Sequence, residues 1–88
     1  MKYVTIDCSL MTVPDEVHDL FAREMEFPDH YGRNLDALYD MLSTCPETEL
    51  TLVNASAIQK MFRYGDNLML AIRDAEKANP LLTLIVNE

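Results

Sequence analysis

Three short runs of strand-like composition punctuate this chain: Lys2–Ile6, Glu49–Asn54 and Leu81–Val86. Each combines β-branched or aliphatic residues at strand length. The stretches between them are too long for hairpin turns and carry helical periodicity instead. Strands joined through helices need crossover connections, and crossovers imply parallel neighbours. The expected architecture is an α/β domain over residues 1–88, with a small three-stranded parallel sheet and about four helices in the order β-α-α-β-α-α-β. Leu81–Val86 is almost continuously apolar, which predicts a strand buried on both faces.

The helical stretches have readable starts and stops. Pro14 suits a first helical turn, and Asp15 and Glu16 behind it complement the dipole. Val17, Leu20, Phe21 and Met25 then form one stripe, with His18 off it and therefore expected at the surface. Pro28 is expected to stop that helix, and Gly32 to permit a sharp turn in the loop 28–33. Asn34 can cap a second helix running from Leu35 to about Thr44, which Pro46 closes. Asn54 or Ser56 can cap a short third helix carrying Ile58, Met61 and Phe62, broken by Gly65. Asp66 or Asn67 can cap a fourth, with Leu68, Ala71, Ile72 and Ala75 as its stripe and Asn79-Pro80 as its end.

Composition narrows the function classes. No apolar run reaches transmembrane length and the first residues lack a secretory stretch, so a cytoplasmic protein is expected. Cys8 and Cys45 have no metal-ligand spacing and read as reduced thiols. With glycine only at positions 32 and 65 there is no phosphate-cradling loop, and no cofactor is called for. The net charge of -8 disfavours nucleic acid and anionic membranes and favours basic partners. Between Glu26 and Glu49 the acids are Glu26, Asp29, Asp36, Asp40, Glu47 and Glu49, with Arg33 as the only base.

The second helix concentrates that imbalance. Leu35, Leu38, Met41 and Leu42 fall on one side, while Asp36, Tyr39, Asp40 and Ser43 share the other. Asp36 and Asp40 supply at most two metal ligands, and Asp29 or Asp74 would have to complete a site. As an acid/base pair they lack a predicted cleft. Carboxylates on a rigid helix can instead stand where nucleic-acid phosphates would stand, with Tyr39 as a flat anchor between them. An ordinary solvated helix side fits the same pattern.

The stretch Pro28-Asp29-His30-Tyr31-Gly32-Arg33-Asn34-Leu35-Asp36-Ala37-Leu38-Tyr39-Asp40-Met41-Leu42 closely resembles the signature of the barstar family, intracellular inhibitors of barnase-type ribonucleases. The order of strands and helices resembles that family over the whole chain. The resemblance implies a non-catalytic inhibitor whose second helix and preceding loop plug the active site of a basic secreted ribonuclease or ribonuclease toxin, one to one. It implies that Asp40 enters a phosphate site, that Asp36 is a second contacting acid, and that His30 packs near the enzyme's catalytic histidine. Tyr31, Gly32 and Asn34 shape the loop, Tyr39, Ser43 and Thr44 continue the surface, and Asp74 on the fourth helix matches a peripheral acid. His30, Arg33, Tyr39, Thr44 and Cys45 differ from the best-known member, which has Tyr, an acid, Trp and a Gly-Trp pair there. A barstar-like module for some other basic protein is the alternative.

Overall fold

The computed structural model describes residues 1–88. β1 (Lys2–Asp7), β2 (Thr48–Val53) and β3 (Leu82–Val86) form one sheet in the order β1-β2-β3, both pairings parallel. Three α-helices connect them: α1 (Pro14–Met25), α2 (Leu35–Ser43) and α3 (Arg63–Ala78). A 3₁₀ segment, Ala55–Met61, is the fourth helix, and a 3₁₀ turn, Cys8–Leu10, follows β1. The α/β architecture with a three-stranded parallel sheet and four helices therefore stands.

Parallel strands placed side by side in chain order, with right-handed crossovers, put both connections on the same face of the sheet. Burial agrees. Val4, Ile6, Leu50, Leu52 and Leu82 face the helical layer and are buried, while Tyr3, Thr5 and Thr83 point away and are exposed. One core of 20 buried hydrophobic residues lies between the layers, with Phe21, Leu38, Leu42, Leu68 and Ile72 fully enclosed. Each such side chain contributes roughly 1.5–3 kcal/mol through removal from water. Cys8 is enclosed too, and burial, aided by the Asp7 charge, pushes its thiol up to about 11. It stays a protonated, unreactive packing group.

β3 corrects the expectation drawn from its composition. It is an edge strand, with Leu82 buried, Thr83 exposed and Leu84, Ile85 and Val86 half-buried. The central strand is β2, whose residues alternate between buried and half-buried. The reason is the single helical layer: a central strand here needs a polar second face, which Glu49 and Thr51 supply. On the outer edge of β3 the Leu84 N–H donates to Glu76 Oε2 of α3 at 3.0 Å.

α1 ends at Met25, where its stripe ends, but the stop is not Pro28: Glu26 takes a left-handed conformation (φ 57°) and the Phe27 N–H bonds the Ala22 carbonyl. Other boundaries differ. Asn54 is itself left-handed and uses its amide to bond Asp7 at 3.0 Å rather than to cap a helix. That bond and those from Ser9 hold the Asp7 carboxyl below its usual range. α3 starts at Arg63, ahead of the expected Asp66 or Asn67 cap, so Gly65 lies inside its first turn. Gly65 is there because it is pressed onto Ile58. A Cβ at this position would collide with the Ile58 carbonyl oxygen and crowd its side chain.

Gly65→Ala supplies a test with an inverted sign. Glycine to alanine in a helix ordinarily stabilises by up to about 1 kcal/mol. Here the overlap with the Ile58 backbone should make the variant less stable than wild type by roughly 1–3 kcal/mol. Urea denaturation reads the difference, and a rise in midpoint would contradict the packing described.

Candidate partner-binding surface

α2 exposes the residues singled out in the sequence because its other side is committed to the core. Leu38 and Leu42 are fully buried, and α2 packs along α3. Asn34 caps it as expected: its backbone is extended and its side-chain oxygen accepts the Ala37 N–H at 2.7 Å. Asp36 and Asp40 are exposed, with Tyr39 and Ser43 half-buried beside them. Asp74 reaches the same region from α3. Leu35, Asp36 and Tyr39 on one side and Asn67, Leu70, Ala71 and Asp74 on the other line an open groove of about 350 Å³ between the two helices. Asp40 lies outside that groove, farther along α2. The periodicity of α2 gave no sign of the groove, because half its wall comes from α3.

The electrostatics of the surface are one-sided. The protein's four ion pairs join Met1 to Glu47, Lys2 to Glu26, Arg23 to Glu24 and Arg33 to Asp19. The carboxylates of Asp36, Asp40 and Asp74 take part in none of them. Arg33, the one base in this stretch, is drawn away onto α1: its guanidinium sits 2.8 Å from Asp19 and 3.3 Å from the Asp15 carbonyl. The left-handed residue of the loop is Arg33 (φ 55°), not Gly32, which corrects the expected turn. Gly32 serves close approach instead, since a Cβ there would lie 3.1 Å from the Ala37 Cβ.

The remaining site residues divide. His30 is exposed at the loop tip. Tyr31 is not: only 8% of it is exposed, its ring packs against Phe27 at 4.7 Å between centroids, and its hydroxyl points inward. It shapes the loop from within. The Ser43 and Thr44 hydroxyls both donate back to the Asp40 carbonyl, at 3.2 and 2.7 Å, which closes the end of α2. Their oxygens remain able to accept a further hydrogen bond.

The inward partner of Tyr31 is His18, which corrects its expected surface placement. Its residual exposure is 2%. Nδ1 lies 2.7 Å from the Tyr31 hydroxyl and Nε2 lies 2.7 Å from the Tyr64 hydroxyl at the start of α3. A neutral imidazole has one donor and one acceptor nitrogen, so one phenol donates to it and the other accepts from it. The ring thereby joins α1, the loop before α2, and α3. Burial is the main force holding His18 below its usual value, and Arg33 adds to it, while Asp15 and Asp19 oppose. Burial also raises both tyrosines. Spacing offered a signal that the core stripe obscured: His18, Phe21 and Met25 are themselves one helical face.

The sequence profile of the Barstar (barnase inhibitor) family matches residues 1–79. The chain belongs to the barstar family. A Bacillus subtilis (strain 168) protein named "Putative ribonuclease inhibitor YrdF" is 34% identical over 80 residues, a span of 88% of each chain. Barstar family members are inhibitors rather than enzymes. No helix of this family member is long and apolar enough to cross a membrane.

The His18 clasp carries a pH dependence whose sign is fixed. An unfolded histidine protonates near 6.5, and in the folded protein that value is lowered. The unfolded chain therefore binds the extra proton first, and the stabilisation, fully present above about pH 6.5, is lost as pH falls from there toward the folded value. Protonation also turns both ring nitrogens into donors and strands one phenol. Denaturation midpoints at pH 7.5 and pH 5.5 should show wild type losing stability on acidification and His18→Gln losing less. Identical slopes would remove His18 from this role.

Proposed function

We propose that this barstar family member binds and occludes the active site of a basic barnase-type ribonuclease, using the acidic side of α2 as a mimic of RNA phosphates. Family membership and the name of the Bacillus subtilis relative support ribonuclease inhibition in general. The observation that carries the finer reading is the set of three unneutralised carboxylates, Asp36, Asp40 and Asp74, around Tyr39, with Arg33 turned away from them. A ribonuclease site that grips phosphates with cationic side chains is complementary to such a surface.

In this reading Asp40 is the central anion and Asp36 its support. His30 and Tyr39 pack against the enzyme, and Asn34, Tyr31 and Gly32 hold the loop in shape. Ser43 and Thr44 offer acceptors at the rim, and Asp74 closes the far side. Inhibition is by occupancy, one to one, with no reaction of its own. The partner is a secreted ribonuclease or a ribonuclease toxin, and residues 1–88 act as one binding domain. The same exposed carboxylates, with Leu70 beside them, also suit a different basic protein, which is the second reading.

Titrating the chain into a barnase-type ribonuclease while following RNA cleavage decides between them: stoichiometric loss of cleavage supports the first. Asp40→Ala should weaken the complex at least roughly 30-fold, corresponding to about 2 kcal/mol, because truncating one member of a desolvated charge pair leaves the other unpaired; that range derives in part from a ribonuclease–inhibitor pair of this family. Glu88→Ala, a charge deletion at the chain end, should change it little. Comparable small losses in both would refute the assignment of Asp40.

Salt separates steering from contact. Association should slow markedly between about 0.05 and 0.5 M salt, since exposed charges are screened over a Debye length of about 10 Å at 0.1 M. An association rate indifferent to salt would leave the acidic surface without a role in encounter.

A further inference from the structure

We propose that Asn79, which lies outside the binding surface, is the positioning residue for the C-terminal turn of α2. Its consequence for binding rests on the function proposed above; its consequence for α2 does not. Asn79 follows the end of α3 and is 5% exposed. Its Nδ2 donates to the Leu42 carbonyl at 2.9 Å and to the Cys45 carbonyl at 3.1 Å, both at the end of α2. Its Oδ1 accepts the Leu81 N–H at 3.0 Å, just before β3. Its backbone is equally engaged, with the N–H bonding the Ala75 carbonyl at 2.9 Å and the carbonyl accepting the Leu82 N–H at 3.0 Å.

This saturation matters because α2 has only nine residues. Helices so short gain little from their own hydrogen bonds, and their last carbonyls have no intrahelical donors. The Asp40 carbonyl is one of these and accepts from the Ser43 and Thr44 hydroxyls, but those bonds join near neighbours in sequence and do not orient α2. The Asn79 amide is the polar tie from this end of α2 to the α3–β3 junction. The turn it holds carries Asp40, Ser43 and Thr44. At the other end of the surface, the His18 clasp holds the loop through Tyr31.

Asn79→Asp tests this directly. It keeps the size and the acceptor for Leu81 but sets an anionic oxygen against two carbonyl oxygens. Asn79→Ala, which deletes the donors without adding charge, is the second variant and serves if the first fails to fold. Ile72→Val, in the core of α3, is the control for general destabilisation. Two readouts are compared at matched distance below the denaturation midpoint: amide hydrogen exchange at Met41, Leu42 and Ser43, the last intrahelical donors of α2, and dissociation from a barnase-type ribonuclease. The expected result is exchange and dissociation both faster by roughly tenfold than in the control. If exchange at those amides matches Ile72→Val, Asn79 only stabilises the fold and the proposal is overturned. If wild type binds no such ribonuclease, the proposed function fails while the exchange comparison still decides the role of Asn79. Fast exchange with unchanged dissociation overturns the part that concerns binding.

Discussion

Three parallel strands lying in chain order constrain everything built on them. Each crossover steps the same way across the sheet, and right-handedness sends both to one face. The helices then compete for a narrow platform. α1 lies against β1 and α3 against β3, so α2 packs chiefly on α3. That arrangement leaves α2 prominent, with one buried side and one side free to meet a macromolecule. It also makes part of the surface composite, since Leu35, Asp36 and Tyr39 share a groove with residues of α3.

A prominent short helix must be held by its surroundings if it is to bind as a rigid body. Binding surfaces that are already ordered lose less freedom on association. Here the ordering comes from interior polar groups. The imidazole of His18 fixes the approach to α2 through Tyr31, and Asn79 meets its exit. Neither side chain is on the surface, and no buried side-chain nitrogen or oxygen in the protein lacks a partner. The carboxylates of Asp36, Asp40 and Asp74, by contrast, take part in none of the protein's ion pairs.

Local patterns carried much of this. The bounds of α1, the Asn34 cap, the inner stripe of α2 and the order of elements are properties of consecutive residues, and they were legible in the sequence. What was not legible depends on chain-distant partners. His18 looks like a surface residue until Tyr31 and Tyr64 supply its bonds. Gly65 looks like a break until Ile58 is placed beneath it. The apolar run at Leu81–Val86 looks central because composition reports β-propensity and hydrophobicity, not which strand has a neighbour on each side. In the candidate surface, Asp36, Tyr39 and Asp40 share a face by periodicity alone. Leu70 and Asn67 join them only through the packing of α3 on α2.

The Glu76 carboxylate at the rim of β3 has a consequence for life at high concentration. Leu82–Val86 is uncharged, rich in aliphatic residues and placed at an open sheet border, the kind of segment that recruits strands from other molecules. A single anion from α3 occupies one of its outward donors and brings repulsive charge to an otherwise neutral rim. That guard against intermolecular strand addition is carried by α3 through Glu76, apart from the exposed carboxylates of α2.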